Sequence, residues 1–526
     1  MKNVIFWTGV KNKTPNMVEK YGGYEWMDIS KKSWEYWCEK NDCILYHYDK
    51  PSQSDLIDFR VTWQRWFDVY DELEKNNIDY DKIFLVDACS IVKWDCPNFF
   101  DLCDDRMTAW LDKDNWGWIY QSVVGYKEFF KQFNHDKSER EIVNNYINAG
   151  AVIINKKHKE FFKSLKDFYY DNKDKLVSLQ DKEVVKGTDQ TPFNYWLQIN
   201  NIEVNTSLPF MYNLTHMHRK SMFMHNWQLK DDPMPYFIKY GYVWKYNGIP
   251  KNERTQMMKQ TWDLVKHFYN DTNSIDGLLD GIPDKADHNK TTSIKFKKDL
   301  FNYFSKNKKF KNMKILELGT NHGHTTRIFS PLFKKVVTFD WYDDNLMRAK
   351  TLNYDFKNIQ YKKVNAYELD LDTGIPKWNC EDFDVTFVDC QHTYESVFSD
   401  ISHLLRISKG RDIYFVFDDY GNLGDVKKAV DEFIEDGLIK PIEEIGHKKG
   451  SSWIDTSIVI DKEGVGKEKK KTITNHILKD TEGLICVKTK KDAVVDEDKY
   501  SKFWEQCISD GLLVDVKTGK RVKVAV

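Results

Sequence analysis

Lys314-Ile315-Leu316-Glu317-Leu318-Gly319-Thr320-Asn321-His322-Gly323-His324-Thr325-Thr326 is the stretch from which the fold of this chain is read. Its apolar start predicts a buried parallel strand, the segment between the glycines a tight turn, and the Thr-rich end the first turn of a helix. Gly319 and Gly323 carry no Cβ, so the backbone there can turn sharply and come close to a ligand. A helix opening near Thr325 would aim unpaired N–H groups and a positive dipole end at that ligand. The two glycines stand four apart, unlike the spacing of the dinucleotide fingerprint G-x-G-x-x-G. A second strand, Lys335-Val336-Val337-Thr338-Phe339, ends in Asp340. A carboxylate about 20 residues beyond the first glycine suits the two ribose hydroxyls of a nucleoside.

The E-x-G-x-x-x-G turn followed by an acidic strand tip resembles motif I and strand two of class I S-adenosylmethionine-dependent methyltransferases. The resemblance implies that Glu317, Gly319, Gly323 and Asp340 hold S-adenosylmethionine. Any βαβ turn has the same outline, so the residues downstream decide. Residues 359–364 predict a short strand ending at Asn365-Ala366, where the family contacts the adenine side. Residues 383–388 predict a strand delivering Asp389, and residues 413–417 one delivering Asp418 and Asp419.

Three carboxylates at the tips of two neighbouring parallel strands would meet in one crevice. Unpaired, they would repel one another. A bound Mg2+ lets all three ionise, and carboxylates and water are its usual ligands. His392, one turn past Asp389, stands within reach of the proton of a hydroxyl held near such an ion. The pair D-x-x-H-x-Y-E from Asp389 and D-D-Y from Asp418 resembles the metal-dependent sugar O-methyltransferases of the macrocin type. That likeness implies Asp389, Asp418 and Asp419 as metal ligands and His392 as general base. Helix caps that bind nothing are the plainer use of the same residues.

In the N-terminal half, helical spacing over residues 62–74 puts Trp63, Trp66, Phe67, Tyr70 and Leu73 on one face, a stripe suited to a core. Arg60 and Arg65 lie close by and could serve a diphosphate or the fold. Residues 82–86 predict a buried strand running into Asp87-Ala88-Cys89. Asn148-Ala149-Gly150, Asp189-Gln190 at a helix opening, and His225 follow. In this order the set resembles the GT-A fold glycosyltransferases of the glycogenin-like, nucleotide-sugar-using kind, over about residues 1–245. The resemblance implies that Asp87 and His225 hold Mn2+ or Mg2+ against a nucleotide-sugar donor, and that Asp189 and Gln190 lie near the transferred sugar. One position departs from the family's D-x-D: Cys89 offers a thiol, a poor ligand for hard Mg2+. Two readings stay open there, a transferase with little or no need of metal and a degenerate domain that only binds glycan.

A chain of 526 residues exceeds one hydrophobic core. The expected class is α/β, with two doubly wound Rossmann-like domains and a small C-terminal α+β tail. The GT-A-like domain is expected over 1–248, a helical linker and lead-in helix over 249–312, the methyltransferase domain over 313–462, and a small domain without assigned role over 463–526. Asp-, Asn- and Gly-rich residues 270–290 mark the linker, and Phe296, Leu300 and Phe304 the lead-in helix.

Lys+Arg 79 against Asp+Glu 81 leaves no overall basic field and argues against a nucleic-acid partner. The nine cysteines form no C-x-x-C pair, which points to free thiols in a reducing compartment. No apolar stretch approaches the roughly 18 residues that span a bilayer, and the N-terminal run Val4-Ile5-Phe6-Trp7 is too short for a signal peptide. A cytoplasmic protein is expected. The resemblances imply a bifunctional enzyme that transfers a sugar to a glycan acceptor and O-methylates a sugar hydroxyl with S-adenosylmethionine and Mg2+. The alternative is a sugar O-methyltransferase whose first domain only binds glycan.

Overall fold

A computed structural model describes residues 2–11, 24–50, 61–113, 115–133, 137–215, 234–249, 253–285, 291–370, 373–380, 382–460, 469–510, 514–515 and 520–521, with backbone only for residues 61, 453–476, 514–515 and 520–521. The chain divides into two compact α/β units, Met1–Tyr269 and Asn270–Val526.

The first unit is built on strands β1 (Lys2–Thr8), β2 (Ile44–Tyr48), β3 (Tyr80–Asp87), β4 (Ser90–Val92), β5 (Met107–Leu111), β6 (Ile147–Asn155), β7 (Val204–Asn205) and β8 (Val243–Lys245). Six of them form one sheet in the order β2-β1-β3-β6-β5-β7. The β2-β1-β3 side is parallel, and β6 runs against both β3 and β5. The helix Val61–Lys75 buries Trp63, Trp66, Phe67, Tyr70 and Leu73 in the core, as their spacing predicts. Short β4 pairs with β8 and sets Lys245 opposite Ser90, beside the tip of β3.

The second unit holds β9 (Lys314–Leu318), β10 (Lys335–Asp340), β11 (Ile359–Lys363), β12 (Val385–Val388), β13 (Tyr414–Phe417), β14 (Ile439–Ile445), a hairpin of β15 (Ser452–Ile460) and β16 (Lys469–Ile477), and β17 (Gly483–Lys488). Its sheet has the order β11-β10-β9-β12-β13-β17-β14. The first five strands are parallel, and β17 lies antiparallel between β13 and β14. Side chains alternate between two cores: Leu316, Leu318, Phe415 and Phe417 on one face, Ile315, Val385, Phe387 and Val416 on the other. That is the buried parallel sheet with helices on both sides that long apolar strands require.

Three expected boundaries shift. The helix Glu253–Val265 belongs to the first unit, where Met258 and Val265 are buried and Tyr246 donates to Thr261 at 2.7 Å. The lead-in helix Ile294–Ser305 belongs to the second, its Phe296, Leu300 and Phe304 buried against the sheet. The tail over 463–526 is no separate domain, because β17 fills the slot between β13 and β14. Among the described residues no helix is long and apolar enough to cross a membrane.

Candidate active site

In the second unit Leu318, Val388 and Phe417 stand in register on neighbouring strands, so the chain leaves all three at one edge. The residues that follow open onto a single cleft of about 1130 Å³. Gly319 lines it with φ +98°, and a Cβ there would lie 2.0 Å from the carbonyl oxygen of Asp389. Only glycine fits this close passage. Asp340 also faces the cleft, accepting the N–H groups of Asn321 and Tyr342, each at 2.8 Å, while the Asn345 amide reaches both its oxygens at 3.2 Å. Asn365, just past the neighbouring strand β11, lines it as well. The neighbouring Tyr367 donates to buried Asp400 at 3.1 Å and accepts the Gln391 N–H at 3.0 Å. This link ties the Asn365 turn to the loop that carries Asp389 and His392.

Two members of the expected cofactor set do not line the cleft. Glu317 is fully buried behind the turn and accepts from the Thr326 hydroxyl at 2.5 Å. Burial pushes its carboxyl up to about 8. Gly323, at φ +77°, packs against a neighbouring helix, where a Cβ would meet Ala349 and Asn353 at 2.7 Å. The helix it caps, His324–Phe329, has 6 residues.

Asp389, His392, Asp418 and Asp419 do come together. His392 Nε2 lies 3.2 Å from Asp389 Oδ1 and 3.6 Å from Asp419 Oδ2. Asp419 sits in the left-handed region at φ +56°, held by Asn422 at 3.0 Å and by Lys285 Nζ at 2.6 Å. Its carboxyl lies below the ordinary range, because Lys285 and His392 outweigh its burial. Burial drives Asp418 well above that range, against the pull of Lys285 at 3.9 Å. The bond to Asp389 raises His392 to about 9.

The donor set suits a divalent cation. The ligand atoms of Asp389, His392 and Asp419 lie within 4.8 Å of one another. Asp418 Oδ1 is buried with no hydrogen-bond partner, a state that needs a reason. Asp419 and Asp389 crowd Asp418 with like charge, which a bound cation would relieve.

In the first unit, Asp87 stands at the tip of β3. Arg65 Nη1 donates to its Oδ1, and Lys245 Nζ reaches its Oδ2 at 3.1 Å. These cations overcome burial and hold the carboxyl below its ordinary range. Asp189 accepts from Arg65 at 3.3 Å and from the Trp66 indole at 3.2 Å. Gln190 donates to Asp112 at 2.9 Å and accepts the Ala149 N–H at 3.2 Å. The expected metal role of Asp87 does not fit, since both its oxygens already hold cations. Arg60 and His225 lie outside the described residues.

Sequence reasoning missed five contributing residues in three places. Lys285 sits in the segment expected as linker, and its approach to Asp419 spans 134 residues. Phe503, Trp504 and Cys507, on the helix Glu497–Ser509, wall the cleft from the tail left without a role. Their i, i+1, i+4 spacing was the available signal for an inward helix face. Asp112 joins Gln190 and Asn148 at the end of β5 with nothing in its local sequence to mark it.

Residues 316–420 match the family described as "Methyltransferase domain". The match covers about a fifth of the chain and lies wholly within the second unit, over the strands that line the cleft. None of the curated proteins compared matches the chain in sequence. Among solved structures, the chain is similar to an O-methyltransferase from Bacillus cereus in complex with SAH, at 13% identity over 37% of this chain and 81% of that one, with a TM-score of 0.25. A tRNA (m1A58) methyltransferase from Aquifex aeolicus is similar at 15% identity over 41% and 76%, with a TM-score of 0.26. A glycosyltransferase involved in the glycosylation of the major capsid of PBCV-1 is similar at 11% identity over 49% of this chain and 100% of that one, with a TM-score of 0.29. Likenesses this slight carry no argument about activity.

Proposed function

We propose that the second unit O-methylates a sugar hydroxyl with S-adenosylmethionine and a divalent cation, Mg2+ by ligand type, and that the first unit handles a nucleotide sugar and its glycan acceptor. The observation that carries this reading is that Asp389, His392, Asp418 and Asp419 meet in the cleft that Gly319 and Asp340 also line. The likeness of the Asp389 and Asp418 segments to macrocin-type enzymes supports the sugar hydroxyl as target.

Asp340 would accept the ribose hydroxyls in exchange for the Asn345 amide, and Gly319 lets the backbone approach the donor. The Asn365 turn would meet the adenine. Asp389, Asp418 and Asp419 would hold the cation, which when bound lowers the pKa of a hydroxyl it contacts. His392 would take the hydroxyl proton. The acceptor oxygen bonds the methyl carbon as the carbon–sulfur bond breaks, and the electron pair of that bond stays on sulfur. Much of the rate gain would come from holding the two atoms in line.

Methyl transfer from labelled donor to glycan acceptors tests this. Asp389→Ala should abolish methylation and leave nucleotide-sugar turnover intact; loss of both would contradict separate sites.

Cys89, a thiol where the resembled family has a second carboxylate, favours a second reading of the first unit, as a module that binds glycan without transferring sugar. A Cys89→Asp variant that gains metal-dependent nucleotide-sugar hydrolysis absent from the wild type would support it.

A further inference from the structure

The tip of β3 is where the GT-A resemblance places a divalent cation, and it is already occupied by side chains. Each oxygen of Asp87 has its own cation, Arg65 on Oδ1 and Lys245 on Oδ2. Both cations are buried, with side-chain exposures of 3% and 1%. A metal ion bound to Asp87 would have to break these pairs and leave two buried positive charges beside it, an arrangement that desolvation and like-charge repulsion both oppose.

The surroundings are shaped for the pairs. Lys245 also donates to the carbonyl of Gly150. A Cβ on Gly150 would fall 2.3 Å from Asp87 Oδ2 and 2.3 Å from Lys245 Nζ, so only glycine leaves room for the contact. Among the described residues, the metal-ligating side chains near the tip of β3 do not gather into a cation shell. Asp189 is engaged by Arg65 and Trp66. Cys89 is buried, and burial holds its thiol up despite Arg254, Lys245 and Arg65 close by. A soft ligand that keeps its proton does not recruit a hard ion. Among the described residues, Arg65 and Lys245 already neutralise Asp87, and Arg65 also reaches Asp189, so the tip offers a divalent cation no free carboxylate charge.

We infer that the first unit binds the diphosphate of a nucleotide sugar without a divalent cation, with Arg65 and Lys245 standing at Asp87 in place of the metal. The inference rests on the nucleotide-sugar reading proposed for this unit.

The test is titration calorimetry of UDP, GDP and dTDP into the full chain, in excess EDTA and again with added Mn2+. At least one nucleotide should bind with a Kd that differs by less than about threefold between the two conditions, and Lys245→Met should weaken it by about tenfold or more in EDTA. Lys245→Arg, which keeps the charge, should retain EDTA-resistant binding. Binding that vanishes in EDTA and returns with Mn2+ overturns the inference and leaves the nucleotide-sugar reading standing. If no nucleoside diphosphate binds in either condition, the nucleotide-sugar reading falls and the inference with it. The wild-type comparison decides between these outcomes even if a Lys245 variant does not fold.

Discussion

His392 is the residue on which the proposed chemistry turns, lying 3.2 Å from Asp389 and 3.6 Å from Asp419. Its contribution is proton transfer, so His392→Ala should lower the methyl-transfer kcat by about 10²–10⁴-fold. The Kd for S-adenosylmethionine should hold within about twofold by calorimetry; a large fall in affinity would count against the role of base. Glu317 supplies a pH dependence of a different kind. Burial raises its carboxyl from 4.5 to about 8, so the folded state keeps a proton that the unfolded chain releases. Stability from this group is full below the lower value and is lost as pH rises through the window to about 8, by at most about 1.4 kcal/mol per pH unit. Denaturant unfolding of the second unit across that window should show the slope, and Glu317→Gln should reduce it. At this scale the carboxylates were legible because each follows a short apolar strand. Lys285 was not, because nothing local in residues 270–290 reveals a partner 134 positions away.

The elements of the second unit explain why Gly319 and β17 matter beyond their own positions. Gly319→Ala would place a methyl group 2.0 Å from a backbone oxygen at φ +98°. Thermal unfolding should report a loss of about 1–3 kcal/mol, accompanied by weaker donor binding. The strand β17 completes the sheet between β13 and β14. A fragment of residues 270–462 should therefore lack a cooperative unfolding transition by circular dichroism, whereas residues 270–526 should show one. Equal cooperativity would mean that β17 is dispensable. The parallel strands were readable from apolar runs and their acidic tips. The place of β17 was not, since an antiparallel insertion from a distant segment leaves no periodic trace. For Gly323, glycine spacing alone does not distinguish approach to a ligand from approach to Ala349 and Asn353.

Across the whole chain, two α/β units carry two clusters of buried charge with opposite logic. In the first, Arg65 and Lys245 answer Asp87 with side chains. In the second, Lys285 answers only part of the charge on Asp389, Asp418 and Asp419, and Asp418 Oδ1 is left without a partner. Acidic residues at strand tips suggested metal in both places, and only the distant cations Arg65, Lys245 and Lys285 tell the two apart. The nine cysteines carry free thiols, in line with the absence of paired spacing in the sequence. The most direct measurement of the central claim is methyl transfer from S-adenosylmethionine to sugar acceptors after treatment with EDTA, followed by return of Mg2+. EDTA should abolish transfer, and Mg2+ should restore it in the wild type but not in Asp389→Ala. Undiminished transfer in EDTA would contradict the account.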